Sequence, residues 1–128
     1  MAYNEQLAER VRGAFARRNV GFVEKRMMGG LCFLVDGKMC VGVEMHRLMV
    51  RLDPDFYEQA LQRNGCAPMD FTGRPLRGYV FVHAAGYSTD RALASWIDAA
   101  LEFNPRAKSS KESRKSSPPK ARTSKPRS

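Results

Sequence analysis

Core-building side chains end abruptly in this sequence. Every Val, Ile, Leu, Phe, Tyr and Trp of the 128 residues precedes Pro105. Residues 105–128 instead carry nine Lys or Arg against one acid, Glu112, a net of +8. Residues 1–104 carry 13 basic and 12 acidic residues, so the formal charge of +9 describes a tail and not a fold. A segment without large apolar side chains has nothing to bury against the entropy of its own ordering. Pro118-Pro119 and Pro126 also exclude a regular helix there. The sequence thus predicts two parts: a nearly neutral folded domain, residues 1–104, and a disordered cationic tail, residues 105–128.

A domain of this size hides roughly 65% of its extended surface, enough for one core without staples. No apolar run approaches the ~20 residues that span a bilayer, so no membrane partner is expected. The start, Met1-Ala2-Tyr3-Asn4-Glu5, has no basic-then-apolar signal. Three cysteines, an odd number outside any disulfide-like framework, suit a reducing cytoplasm, which is the expected location.

Asn4-Glu5-Gln6 reads as a helix start, with an Asn cap and an acid in the first turn. Leu7, Val11, Ala14, Phe15 and Arg18 continue it as one buried stripe, and 19–21 stop it. Residues 22–52 read as β. A strand over 22–28 ends at Gly29-Gly30, and the apolar runs 31–35 and 38–43 flank Asp36-Gly37. Asp-Gly between two such runs is a strong hairpin signal, because a type I′ turn needs positive φ at both central residues. Over 47–52, Leu48, Val50 and Leu52 fall on one face and Arg47, Met49 and Arg51 on the other. That alternation predicts one buried and one wet face.

Asp53-Pro54-Asp55 opens a second helix, with Phe56, Tyr57, Ala60 and Leu61 buried and Asn64-Gly65 at its end. A loop or short strand surrounds Met69-Asp70-Phe71, and Thr72-Gly73-Arg74-Pro75 is a turn. The last strand covers 78–83. Ser88 caps a third helix whose stripe is Leu93, Trp96, Ile97, Ala100 and Leu101, and Pro105 ends it. The order is α-β-β-β-β-α-(β)-β-α. Strands cluster in hairpins without βαβ alternation, which predicts an α+β fold: an antiparallel sheet of about five strands with helices on one face.

The run Arg26-Met27-Met28-Gly29-Gly30-Leu31-Cys32-Phe33, followed by Met39-Cys40-Val41-Gly42-Val43, resembles the N-terminal domain of the TfoX/Sxy family. Met69-Asp70-Phe71-Thr72-Gly73-Arg74-Pro75-Leu76-Arg77-Gly78-Tyr79-Val80 extends the resemblance, as do a Leu-Met-Val-Arg-Leu strand before a helix and the aromatic-rich last helix. It covers roughly residues 5–104. Met28 stands where the family usually has Phe, a tolerable apolar exchange. The resemblance implies a secretion-chaperone-like two-layer sandwich. The name-giving members are regulators of DNA-uptake genes that act with a cyclic-nucleotide-responsive transcription factor, whereas many relatives are stand-alone N-terminal domains without assigned activity. In the regulators a second, helical domain follows; here the basic segment occupies that place.

Candidate chemistry is sparse. Cys32, Cys40 and Cys66 are expected to be ordinary thiols. A two-residue turn puts Cys32 and Cys40 on opposite faces of the sheet, and a one-residue bulge is expected to put them on the same face, offset by ~7–8 Å. Neither arrangement fits a disulfide. His46 is expected in a turn and His83 at a strand end, and no metal-ligand spacing is present. No Gly-x-Ser-x-Gly occurs, and no catalytic residue, cofactor or metal site is assigned. Gly29-Gly30 beside Lys25 and Arg26 reads as a bend or bulge, or as an anion cradle, although phosphate loops normally precede a helix. Arg74 and Arg77 form the other candidate anion or partner patch. Methionines 27, 39, 45 and 49 read as strand packing, with a partner-binding patch as the alternative.

The tail cations Arg106, Lys108, Lys111, Arg114, Lys115, Lys120, Arg122, Lys125 and Arg127 suit either solubility or nonspecific association with DNA or RNA. Without aromatics they offer no base stacking. Phosphorylation of Ser109, Ser110, Ser113, Ser116 or Ser117 would subtract about 1.5–2 charges each. The expected function is a non-enzymatic interaction or regulatory domain with an unidentified protein partner and a nucleic-acid-binding tail. The alternative is a small-ligand-binding protein or enzyme with an anion pocket on the sheet. Homodimerisation through a sheet edge or apolar face is compatible with both.

Overall fold

A computed structural model describes residues 3–27, 29–70 and 75–107. Helix α1 (Glu5–Arg17) opens where Asn4 Oδ1 accepts from the amides of Gln6 and Leu7. Its stripe buries Leu7, Ala8, Val11, Ala14 and Phe15. Arg18 is the cap and not part of the stripe: it donates to the Ala14 carbonyl and to Asp98.

Strands β1 (Val23–Met27), β2 (Gly30–Val35), β3 (Lys38–Glu44) and β4 (Arg47–Arg51) form an antiparallel meander. Asp36 and Gly37 have φ of 55° and 75°, the positive values that the Asp-Gly hairpin requires. Gly30 is fixed by close approach, since a Cβ there would lie 2.1 Å from the Val43 carbonyl oxygen. That favours the bend reading of Gly29-Gly30.

The second helix is shorter than its sequence suggests. A 3₁₀ turn (Pro54–Phe56), capped by Asp53, leads into a single α turn, α2 (Tyr57–Ala60). Strand β5 (Cys66–Asp70) follows, confirming the short strand around Met69, and then β6 (Pro75–Val82). Helix α3 (Asp90–Phe103) is capped by Thr89, whose Oγ1 accepts from the Ala92 amide. Ser88, the expected cap, lies one residue too early.

The fold is α+β as predicted, with six strands in one sheet in the order β1-β2-β3-β4-β6-β5. Strand β6 inserts between β4 and β5, so the chain reverses direction across the sheet. The helices bury the main core of Phe15, Phe33, Leu48, Leu52, Trp96 and Ile97 against one face. Phe22, just before β1, packs its ring 5.3 Å from Phe15 and 5.6 Å from Phe33.

The other face differs from its predicted wetness. Cys32, Met39, Met49, Met69 and Phe81 form a second buried cluster there, and Met49 is fully excluded from solvent. Among the described residues no helix supplies that cover. The Arg47 guanidinium lies 3.6 Å from the centre of the Phe81 ring, and Arg51 lies 5.3 Å from Tyr79. Long arginine stems shield apolar surface while their charged ends stay wet. Alternation identified the face, but it could not show that the polar residues on it would fold down over their neighbours.

The folded body also continues past residue 104. Asn104–Arg106 forms a 3₁₀ turn and Ala107 is buried. Arg106 reaches Asp53 at 3.0 Å and Glu102 at 2.7 Å. Of the nine cations assigned to the tail, Arg106 therefore belongs to the body. The other eight, with the expected disorder of the tail, lie outside the described residues.

Candidate functional site

The predicted anion-binding residues that are described fall in two places. Arg26 lies on the edge strand β1, exposed, with its guanidinium 5.9 Å from the Tyr3 ring. Arg77 lies on β6, bonded to Glu58 at 3.1 Å and 5.5 Å from the Tyr57 ring. Strands β1 and β6 are four positions apart in the sheet, which at about 4.8 Å per step separates them by roughly 19 Å. Arg74 lies outside the described residues.

The glycine turn meets the wrong charge for an anion. Gly29 has a φ of 79° and joins β1 to β2. A Cβ on Gly29 would come within 3.8 Å of Glu44 Oε2. Glu44 is held there by Arg47, whose Nε donates to Oε1 at 2.6 Å. A carboxylate therefore lies beside this turn, which disfavours an anion there.

The three thiols are separated and passive. Strand β3 bulges opposite Phe33, so that Cys40 and Val41 both turn toward the helices. Cys32, facing Gly42, stays on the other side. The bulge is present, yet it leaves the thiols on opposite faces, contrary to the same-face geometry expected of it. Consecutive side chains at such a bulge share a face, and Cys40 keeps the side it would have had without one. Burial pushes Cys32 up to about 11, Cys40 to about 12 and Cys66 to about 11. All three are protonated at neutral pH and are poor nucleophiles and poor metal ligands. Among the described residues no three His, Cys, Asp or Glu side chains gather to hold a metal ion. His46 sits exposed in the turn between β3 and β4, beside Asn4, and His83 follows β6.

Sequence reasoning missed the arginines stacked on aromatics. Arg47 on Phe81 and Arg51 on Tyr79 follow from the register Met49↔Phe81 and Arg51↔Tyr79 between β4 and β6. Arg63 likewise covers Trp96 at 3.8 Å and donates to Ser95. No local pattern announces these pairs, which are 28–34 residues apart. The helix-free face thus presents Arg47 and Arg51 on β4, half-buried Tyr79 on β6 beyond them, half-buried Leu34 on β2 on their other side, and half-buried Met27 with exposed Val23 and Lys25 on the edge strand β1.

Among the described residues, no helix is long and apolar enough to cross a membrane. A single antiparallel sheet with its helices on one face defines a small two-layer α+β domain. The family model for the TfoX N-terminal domain matches residues 15–104, and the chain belongs to that family. No curated protein matches the chain.

Proposed function

We propose that this protein is a binding and regulatory domain without a reaction of its own. It works through protein contacts, and its cationic segment adds nonspecific attachment to DNA or RNA. The observation that carries this reading is the segregation of charge: a net of +8 over residues 105–128 against +1 over residues 1–104. The arrangement of Arg26 and Arg77 supports it, because each is engaged by an aromatic ring or an acid close by and the two lie on well-separated strands. Three thiols held protonated by burial add support, as they offer no activated nucleophile.

Eight cations follow Ala107. If all meet phosphates on duplex DNA, the plot of log affinity against log salt has a slope of about −7, and a shallower slope counts the cations engaged. The test is a salt titration of duplex binding by the full chain and by a full-length variant with those eight residues changed to Gln. The reading predicts that binding and its salt slope are lost together. Binding by the Gln variant that survives high salt would place recognition in the body instead.

A further inference from the structure

We propose that this protein forms a weak, reversible homodimer by pairing strand β1 with β1 of a second copy, making one continuous sheet across the two chains. The outer edge of β1 has no strand beside it among the described residues, since β1 ends the sheet order. Its residues Val23, Glu24, Lys25 and Arg26 are all exposed, and Val23 is 65% accessible. Its ladder with β2 is regular over all five residue pairs, so the strand is not twisted away from a partner by a bulge. The opposite edge is different. Strand β5 carries Pro68, which has no N–H to donate, and its pairing with β6 is irregular between Pro68 and Asp70.

The sequence of β1 is self-complementary when run against itself. Antiparallel pairing about a two-fold axis leaves three central registers, on Glu24, on Lys25 or on Arg26. The first sets Glu24 against Glu24, and the last sets Arg26 against Arg26. The register centred on Lys25 pairs the whole strand. Glu24 faces Arg26 of the second copy, twice, and Val23 faces Met27 of the second copy, twice. Opposite charges and apolar pairs at directly facing positions stabilise a sheet. Faces also agree, because Glu24 and Arg26 alternate with Val23, Lys25 and Met27 along the strand.

The body already prepares the acid for this partner. Glu9 accepts from Arg12 at 3.0 Å, and Arg12 Nη2 donates to Glu24 at 3.0 Å. Arg26 of the second copy would extend that chain of alternating charge by one member on each side of the axis. Lys25 alone opposes the pairing, because it faces its own copy. A lysine at the centre of an exposed edge guards against indiscriminate strand addition, and here it keeps the self-association weak.

The dimer does not depend on the nucleic-acid reading, and it is measured without nucleic acid. Sedimentation velocity on the full chain is expected to show a monomer–dimer equilibrium at concentrations up to about 100 µM, the range in which a 10 µM dissociation constant (about −7 kcal/mol) is evident. Arg26→Glu and Glu24→Arg are each expected to weaken it at least tenfold when alone. An equimolar mixture of the two variants is expected to dimerise again, since both pairs between positions 24 and 26 are then opposite in charge. Lys25→Thr is expected to tighten the wild-type dimer severalfold. Circular dichroism melts establish that each variant is folded, and Lys25→Thr serves independently should Glu24→Arg not fold. A strictly monomeric wild-type chain overturns the proposal. So does a dimer indifferent to Arg26→Glu, or one that Lys25→Thr leaves unchanged.

Discussion

The side-chain amide of Asn104 donates to the backbone carbonyl of Val35 at 3.2 Å, tying the end of α3 to the Asp36-Gly37 hairpin. Asn104 is 4% exposed and is the one buried polar side chain among the described residues. Its own carbonyl accepts from Lys38 Nζ at 3.1 Å on the far side of the same hairpin. The segment after α3 is therefore held against the hairpin, and Arg106 on Asp53 and Glu102 clasps it further. Asn104→Ala leaves the Val35 carbonyl buried without its donor, and this is expected to cost about 1–3 kcal/mol. Urea denaturation measures it. A loss below ~0.5 kcal/mol, the size of ordinary surface changes, would mean the clasp is ornamental.

The helix-free face makes a sharper prediction. Met49 is fully buried and Met45 is 57% exposed, although both belong to the β3–β4 region. Met49→Ala is expected to destabilise by about 2–5 kcal/mol, as in a true core. Met45→Ala is expected to stay within about 0.5 kcal/mol. Equal, small effects in the two variants would show that the second cluster is loosely packed.

Two glycines are expected to respond oppositely to the same change. Gly30→Ala drives a methyl group to 2.1 Å from the Val43 carbonyl oxygen, so the β1–β2 edge must shift. Overpacking of this kind costs about 1–3 kcal/mol. Gly21 has nothing within 4 Å of an added Cβ. There the smaller entropy of the unfolded chain decides the sign, and Gly21→Ala is expected to be neutral or stabilising by up to about 1 kcal/mol. Thermal melts of the two variants compare them directly.

Acid stability is expected to depend on two interelement ion pairs. Arg12 hydrogen-bonds Glu24 and holds its carboxyl below the ordinary 4.5, and Arg18 does the same to Asp98 below 3.8. A carboxyl depressed in the folded state stabilises it above the unfolded value. That contribution is lost as pH falls through the folded value. Both pairs are largely at the surface and individually modest. Denaturation midpoints of Glu24→Gln and Asp98→Asn are therefore expected to fall less steeply than wild type on acidification below about pH 5, with the variants less stable at neutral pH. Parallel pH curves for wild type and both variants would contradict this.

Thiol reactivity provides a probe of the fold. Cys66 is half-buried, whereas Cys32 and Cys40 are fully buried on opposite faces of the sheet. At pH 8 an alkylating agent is expected to label Cys66 slowly and the other two only when the protein unfolds. Intact mass after timed labelling, with peptide mapping, distinguishes one modification from three. Early labelling of Cys32 would indicate that the helix-free face opens readily.

Local patterns carried much of this structure. The stripe of α1, the hairpin at Asp36-Gly37, the alternation of β4 and the stripe of α3 each depend on neighbours within a few residues. They survive in the fold because period and turn chemistry are properties of a short segment. The family resemblance was readable for the same reason. The candidate anion site was not settled in this way, since Arg26 and Arg77 belong to strands whose separation depends on the whole sheet order.

What sequence alone fixed, then, is the division into a core-bearing body and a cationic segment, together with the identity and type of most elements. The tertiary structure alone decided that β6 slides between β4 and β5 and that Arg47 comes to lie on Phe81. It also decided that a second core forms on the face expected to be wet, and that Asn104 closes over Val35. Those outcomes join residues about 30 to 70 positions apart. They are chosen by the free energy of the assembled sheet, in which every strand's register limits the next, and no window along the chain contains that information.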